Sequence, residues 1–144
     1  MTSKTLANYF LKRLMQFDTT KLFEELREYN QGAKHALQYL ALHEKEDVTA
    51  GNIADTLAIS TARATKVINN LVKNGYVTKC DSDKDARVTL VKITDIGKKY
   101  IDKEREVILN KMELVIDEVG VDDLMEFIRV SKKIKKAIKG ECID

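Results

Sequence analysis

Proline is absent from all 144 residues of the chain, and the six glycines are widely spaced. Proline removes a backbone hydrogen-bond donor and glycine lowers helix propensity, so a chain without the first and with few of the second can be helical over most of its length. A hydrophobic content of 44% is enough for a real core in a chain of this size. The sequence therefore predicts one mainly helical folding unit.

Three amphipathic segments occupy the N-terminal third. In the first, apolar residues recur every three or four positions from Leu6 to Phe17, which predicts a helix that ends near Asp18. The second segment continues the pattern to Asn30, and the third places an apolar stripe along residues 33–45. Three helices are therefore expected before the central part of the chain.

The central part predicts two short helices, over residues 50–58 and 61–74, joined by a tight turn. Thr49 and Ser60 are good N-caps, because a hydroxyl oxygen can accept a hydrogen bond from an otherwise unpaired backbone amide. Ala58 occupies the turn, where a left-handed residue would be mildly strained because it is not glycine. The arrangement is typical of a helix-turn-helix.

A hairpin is predicted after the second helix. Residues 76–80 and 87–93 alternate between apolar and polar like strands, and the polar stretch 81–86 between them is rich in turn residues. Asp85 is placed to hold Arg87 near the tip. A helix-turn-helix followed by such a hairpin is a winged helix-turn-helix.

The polar face of the second helix, together with the wing, carries the predicted DNA contacts, because such side chains can hydrogen-bond to base edges and phosphates. Arg63 and Lys66 are suited to guanine, and Asn69 is suited to adenine. Thr65 can contact a thymine methyl group, and the hydroxyls at the helix start suit phosphate. Lys79 is expected to be solvated or to contact phosphate. The predicted DNA-binding residues are Ser60, Thr61, Arg63, Thr65, Lys66, Asn69, Asn70, Lys73, Lys84 and Arg87.

Overall charge does not by itself indicate nucleic-acid binding. The formal net charge is only +2, from 25 basic and 23 acidic residues, so the prediction of DNA binding depends on where the charges lie along the chain. An enzyme is not expected, because the sequence has no Gly-rich phosphate loop and no nucleophile motif. The alternative function is a winged-helix module that binds protein, or an architectural module that binds nucleic acid without sequence preference.

The central half of the chain resembles the winged helix-turn-helix of MarR-type transcriptional regulators, through VTAGNIADTLAIS, TARATKVINNLVKNGYV and DSDKDARVTLVKITDIGKKYI in that order. In that family the wing usually ends in Asp, a basic residue and Arg, followed by a strand and the motif Leu-Thr-x-x-Gly. Here the wing has Asp85, Ala86 and Arg87, and the motif covers residues 93–97. Ala86 removes one expected basic residue, for which Lys84 can substitute.

Two long apolar stripes are predicted at the C-terminal end, over residues 100–119 and, after Gly120 with Asp122 as the N-cap, over 124–138. Leaving these faces uncovered would expose a patch that soluble monomers avoid. The resemblance likewise implies a homodimer with interlocked terminal helices.

The expected fold class is mainly α with a small β-hairpin wing, a winged helix-turn-helix flanked by N- and C-terminal dimerisation helices. Residues 1–144 are expected to form a single MarR-like domain. Within it, 1–30 and 95–144 would form the dimerisation region and 33–94 the DNA-binding lobe.

The expected function is that of a sequence-specific regulator of transcription that binds double-stranded DNA, acting as a ligand-responsive repressor. A two-fold dimer would present two reading helices to successive major grooves, about 34–36 Å apart, and would require a pseudo-palindromic operator.

The resemblance also implies an effector, because many MarR-type proteins bind small aromatic or otherwise lipophilic anions between the dimer helices and the DNA-binding lobe. Tyr9, Arg13, Tyr39 and His43 are candidate lining residues, since they combine rings with donors for an anion. The alternative is that all four are ordinary core and surface residues.

No cofactor and no metal are expected. His35 and His43 stand too far apart along a predicted helix to share an ion, and no nearby cysteine completes a set. Cys80 and Cys142 are interpreted as a small strand residue and a tail residue rather than a redox switch. With no secretory signal and no run of roughly 20 apolar residues, the protein is expected in the cytoplasm and not in a membrane.

Overall fold

A computed structural model of the chain describes residues 2–15 and 21–140. The chain divides into two compact units, Met1–Glu104 and Arg105–Asp144. The described residues are mostly helical and include one two-stranded sheet, which confirms the predicted fold class. The elements are α1 (Ser3–Met15), α2 (Lys21–Tyr29), α3 (Gly32–Leu42), α4 (Ala50–Leu57), α5 (Thr61–Lys73), β1 (Val77–Asp81), β2 (Thr89–Ile93), α6 (Asp95–Val119) and α7 (Val121–Lys139).

The three helices expected before residue 49 are present, with one difference in length. The predicted end of the first helix, near Asp18, lies outside the described residues. The third helix stops at Leu42 rather than at Lys45, because His43 leaves helical geometry with φ −114° and ψ 30°. No apolar side chain occurs from His43 to Asp47, so continuing the helix would bury nothing.

The core is formed by α3, α4, α5 and the hairpin, together with Ile101 of α6. α4 packs against α3 and α5, β1 contacts α5, and β2 contacts α3 and α4. The buried residues are Ala36, Leu37, Leu40, Val48, Ile53, Ala54, Ala64, Ile68, Leu71, Val77, Val91 and Ile101.

Both predicted N-caps are formed. The Thr49 hydroxyl accepts a hydrogen bond from the backbone N–H of Asn52 at 3.1 Å, and the Asn52 carboxamide oxygen accepts one from the backbone N–H of Thr49 at 2.9 Å. Ser60 accepts from the backbone N–H of Arg63 at 3.2 Å. Ala58 ends α4 in the left-handed region, with φ 53° and ψ 46°, so the predicted strain is present.

The wing is an antiparallel hairpin in which Val77 pairs with Ile93 and Asp81 with Thr89. The second strand begins two residues later than predicted, because the backbone N–H of Val88 is turned back to the Asp85 carbonyl at 2.9 Å. An isolated bridge between Thr49 and Leu90 fastens the hairpin to the start of α4. The second strand of the wing is thereby paired both with β1 and with the residue that caps α4.

Thr94 joins three elements. Its hydroxyl donates a hydrogen bond to the Gly75 carbonyl, directly after α5, at 2.6 Å. The same oxygen accepts one from the backbone N–H of Gly97, in the first turn of α6, at 3.1 Å. The backbone N–H of Thr94 donates to the Tyr76 carbonyl at 3.0 Å. This junction explains why threonine and glycine occupy those places in the motif at residues 93–97.

The first three turns of α6 contact α3 and the segment that follows α5. The Lys34 ammonium donates to the Glu104 carboxylate at 2.9 Å, and this contact raises the pKa of Lys34 above its usual value. The rings of Tyr76 and Tyr100 are stacked with centroids 4.5 Å apart. Burial, followed by the charge of Glu104, raises the pKa of the Tyr100 hydroxyl.

The predicted cap of the last helix was wrong. α7 begins at Val121, so its N-cap is Gly120, with φ 89°, and Asp122 lies inside the first turn. Glycine reaches this backbone geometry without strain, whereas the Asp122 carboxylate remains near the positive end of the helix dipole. No helix in the described residues is long and apolar enough to cross a membrane.

Candidate DNA-binding site

One face of α5 is buried and the opposite face is polar. Ala64, Ile68 and Leu71 point into the core, and the predicted contact residues of the helix are all exposed. The helix contains three basic residues and no acidic one. An exposed helix with this charge and a mixture of donors and acceptors can contact both phosphates and base edges. The exposed contact candidates on α5 are Thr61, Arg63, Thr65, Lys66, Asn69, Asn70 and Lys73.

The hydroxyls at the start of α5 are partly engaged. Ser60 uses its oxygen as the helix cap, which leaves its O–H available to donate to a phosphate. Thr65 donates its O–H to the Thr61 carbonyl at 2.9 Å. The donor of Thr65 is thus occupied within the helix, whereas its methyl group remains suited to an apolar contact with thymine.

Two asparagines further along α5 also have partners within the chain. Asn74 donates its amide to the Asn70 backbone and side-chain oxygens at 3.0 and 3.1 Å. The Lys79 ammonium, on β1, donates to the Asn69 side-chain oxygen at 2.6 Å. This second contact was not predicted from the sequence, since it joins residues on two elements. The DNA-contact roles assigned to these residues stay predictions.

The wing tip is ordered by the pair predicted from the sequence. The Asp85 carboxylate accepts hydrogen bonds from the backbone N–H of Arg87 at 3.0 Å and from its Nε at 3.2 Å. The backbone bond, followed by the side-chain bond, lowers the pKa of Asp85 below its usual value. The Arg87 side chain is still 92% exposed. Its guanidinium is therefore held in place while remaining accessible to DNA.

The wing carries a net formal charge of only +1. Its basic residues are Lys79, Lys84, Arg87 and Lys92, and three of these charges are matched by the aspartates of the same hairpin, at positions 81, 83 and 85. The electrostatic attraction of this region for phosphate is correspondingly weak. Among the elements of the predicted site, α5 therefore supplies most of the excess positive charge, with three basic residues and no acidic one.

The four candidate effector residues form two pairs. The Arg13 guanidinium lies 5.9 Å from the Tyr9 ring centroid on α1. On α3 the rings of Tyr39 and His43 lie 4.1 Å apart, and His43 Nδ1 is 2.8 Å from the Tyr39 carbonyl oxygen. No described hydrogen bond or ring contact connects one pair with the other. A shared effector pocket stays a prediction.

A cavity that the sequence did not indicate lies beside α5. It has a volume of about 320 Å³ and is bounded by the start of α3 on one side and by the end of α4 and the first half of α5 on the other. Polar groups and three aliphatic side chains share its wall. The lining residues are Asn30, Gln31, Gly32, His35, Leu57, Ile59, Arg63 and Val67.

The cysteines and the potential metal-binding side chains add little to the candidate site. Cys80 is a free, exposed thiol on β1, and Cys142 lies outside the described residues. Within residues 2–15 and 21–140, no group of three or more His, Cys, Asp or Glu residues could hold a metal ion.

Comparison with known proteins agrees with this architecture. The model of the MarR family matches residues 31–88. The transcriptional regulator AdcR of Streptococcus pneumoniae is 37% identical over 102 residues, which are 71% of this chain and 69% of AdcR.

Solved structures show the same fold at lower identity. The MepR–DNA complex of S. aureus has a TM-score of 0.63 at 16% identity and covers 96% of this chain and 98% of its own. The heme sensor protein PefR of Streptococcus agalactiae, solved with heme, has a TM-score of 0.60 at 21% identity and covers 94% and 90%. The resemblance predicted from the central motifs is confirmed, and the chain belongs to the MarR family of transcriptional regulators.

Proposed function

We propose that this transcriptional regulator binds double-stranded DNA as a homodimer and reads a pseudo-palindromic operator with α5. The observation that carries the proposal is the exposed, acid-free polar face of α5 above a fully buried apolar face. A helix that is held rigidly by the core on one side and is exposed to solvent on the other is suited to insertion into a major groove. MepR, a protein of the same fold, was solved in complex with DNA, and this supports a DNA-binding role for the chain.

Dimerisation is supported by apolar side chains that the single chain leaves exposed. On α1, Phe10 is 57% and Leu14 69% exposed. On α7, which has no buried residue, Met125, Phe127 and Ile134 are each more than half exposed. Soluble proteins cover faces of this kind with a partner. Light scattering after size-exclusion chromatography should therefore give twice the 16.4 kDa mass of one chain, and a monomer at micromolar concentration would contradict the proposal.

We further propose that a small lipophilic or aromatic anion releases the protein from DNA, consistent with a repressor. PefR, which was solved with heme, supports ligand control in proteins of this fold. Besides the Tyr9, Arg13, Tyr39 and His43 set, the cavity beside α5 has the polar and aliphatic wall that such a ligand needs. Because Arg63 lines this cavity and also belongs to the DNA-contact face, a ligand held there would compete for the same side chain.

A catalytic role has no support in the family, whose members named above are a transcriptional regulator and a sensor. The alternative function is a module that binds protein, which the near balance of charge in the whole chain favours, or one that binds nucleic acid without sequence preference. The two functions differ in how binding depends on salt and on sequence.

The deciding experiment is the selection of bound duplexes from a random pool, followed by binding measurements at rising salt. A specific regulator enriches a two-fold sequence and retains it well above random duplex as salt increases. Equal loss of both duplexes would indicate a nonspecific binder, and no binding even at low salt would favour the protein-binding module. A screen for small anions that release the selected duplex then tests the effector proposal.

A further inference from the structure

We propose that Lys79 determines the base preference of Asn69. The inference rests on the proposed reading of DNA by α5 and goes beyond it by assigning a base. It starts from one contact, the 2.6 Å hydrogen bond between the Lys79 ammonium on β1 and the Asn69 side-chain oxygen on α5. Both residues are exposed, and Asn69 belongs to the predicted contact face of α5, so the pair lies on the surface that would face the duplex.

The chemistry of the pair fixes which way the amide of Asn69 is turned. A carboxamide has an acceptor oxygen and a donor NH2 group, and either can in principle face a given neighbour. The lysine ammonium has three donors and no acceptor. Only Oδ1 of Asn69 can therefore bond to Lys79, which occupies one of its two lone pairs and leaves the NH2 group as the part of the amide without a partner from Lys79.

An amide held in this way recognises acceptors. Guanine presents two acceptors, N7 and O6, in the major groove, whereas adenine presents an acceptor at N7 and a donor at N6. The usual paired contact of asparagine with adenine needs Oδ1 to accept from N6 while Nδ2 donates to N7. With the Lys79 cation already bound to Oδ1, the N6 donor of adenine would be opposed by a second, charged donor. Asn69 should accordingly favour guanine over the adenine that its residue type alone suggested.

The position of Lys79 makes this a link between the wing and the reading helix. Lys79 is in the first strand of the wing, where it is paired with the buried Val91 of the second strand. Docking on DNA would exclude water from the pair, and a charge-assisted hydrogen bond strengthens as the local dielectric falls. Lys79 therefore acts as a positioning residue, not as a reader of bases itself.

The test compares base preferences in the selection of duplexes from a random pool, using the full chain in every case. Asn69→Ala locates the base pair in question as the one whose preference is lost. Wild type should prefer guanine there. Lys79→Met, which keeps the aliphatic stem but removes the donors, should move the guanine-to-adenine ratio at that pair toward adenine by about fivefold or more, the lower range for one bidentate base contact.

Two further variants separate the specific role of Lys79 from its charge. Lys79→Arg keeps the donors and should keep the preference for guanine. Lys73→Met removes the same charge from α5 and should lower affinity for all duplexes alike, without changing the ratio at the Asn69 pair. Thermal unfolding of each variant checks that it folds, which the exposure of these side chains favours.

The inference is overturned if Lys79→Met leaves the ratio unchanged, or if wild type prefers adenine at the pair located by Asn69→Ala. It is also overturned if Lys73→Met shifts the ratio as strongly, since charge rather than contact would then be responsible. If wild type enriches no sequence at all, the proposed function fails and this inference fails with it. Failure of the proposed function can be distinguished from the other three outcomes, because those three can be observed only if wild type selects an operator.

Discussion

The carbonyl oxygen of Tyr76 occupies the space that a side chain on Gly97 would need. A Cβ built on Gly97 would lie 2.2 Å from that oxygen and 2.9 Å from Cγ1 of Ile93. The Tyr76 carbonyl also accepts the backbone N–H of Thr94, so it has little freedom to move. The glycine of the motif is therefore required by the close approach of α6 to the chain that follows α5.

Replacing Gly97 by alanine should lower the free energy of unfolding by about 1–3 kcal/mol, the range for overpacking a well-ordered site. Chemical denaturation at a fixed protein concentration measures this. Gly51→Ala is the matched control, because its Cβ would meet only Thr49 Oγ1, at 3.6 Å. Because Gly51 lies inside α4, its replacement by alanine should raise the free energy of unfolding by about 0.5–1 kcal/mol. Equal stability of the two variants would contradict the steric explanation.

Replacing Ala58 by glycine should raise the free energy of unfolding by about 0.5–1 kcal/mol. The left-handed conformation strains a residue with a Cβ, and glycine removes that strain while adding some entropy to the unfolded chain. Ala62→Gly, at an exposed position inside α5, makes the same chemical change in right-handed helix and should cost about 1 kcal/mol. The two variants should thus differ in sign, and a loss of stability in both would show that Ala58 carries no strain.

Replacing Arg63 by alanine should reduce the free energy of binding to the selected operator by about 1–3 kcal/mol and relax the preference at one base pair. Lys73→Ala should weaken binding to all sequences alike and reduce the salt slope by about one. Fluorescence anisotropy at several salt concentrations, on the operator and on a scrambled duplex, measures both. Unchanged affinity and preference in Arg63→Ala would remove that residue from the reading surface.

The carboxyl of Asp85 should titrate below its usual pKa of 3.8, because it accepts hydrogen bonds from Arg87. A group with a lowered folded pKa stabilises the folded protein at higher pH, so its contribution is full above the ordinary value and is lost as pH falls through the lowered one. NMR titration of the Asp85 carboxyl carbon measures this. Arg87→Ala should raise the pKa only part of the way, since the backbone N–H, the larger cause, remains.

Lys84→Ala is the control for that titration, because Lys84 makes no described contact with the Asp85 carboxylate and its removal should leave the pKa unchanged. A complete return of the Asp85 pKa to 3.8 in Arg87→Ala would show that the guanidinium, not the backbone amide, is the main cause.

The features that the sequence predicted correctly are local ones. The caps at Thr49 and Ser60, the left-handed Ala58 and the Asp85–Arg87 pair all depend on residues that are no more than three positions apart. Their energetics are decided by the neighbouring backbone, which a sequence specifies directly. For the same reason, apolar periodicity was enough to locate α1, α2, α3, α6 and α7, and the N-caps located α4 and α5.

The features that the sequence missed depend on how elements meet. The Lys79–Asn69 contact requires the angle at which β1 leaves α5, and the cavity at Arg63 requires the distance between α3 and α5. Neither this angle nor this distance can be read from a pattern of residues. The cap of α7 was misplaced because two signals competed within three residues, and the glycine geometry at Gly120 prevailed over the capping tendency of Asp122.

The hydroxyl of Thr94 has a mechanical consequence. It donates to the Gly75 carbonyl, just after α5, and accepts from the first turn of α6, so one oxygen atom connects the segment that follows the reading helix with the long helix. The start of α6 cannot tilt without displacing Gly75 or breaking one of these two bonds. A rotation at the start of α6 would therefore be transmitted to the end of the reading helix through this single side chain, in addition to the core contact of Ile101.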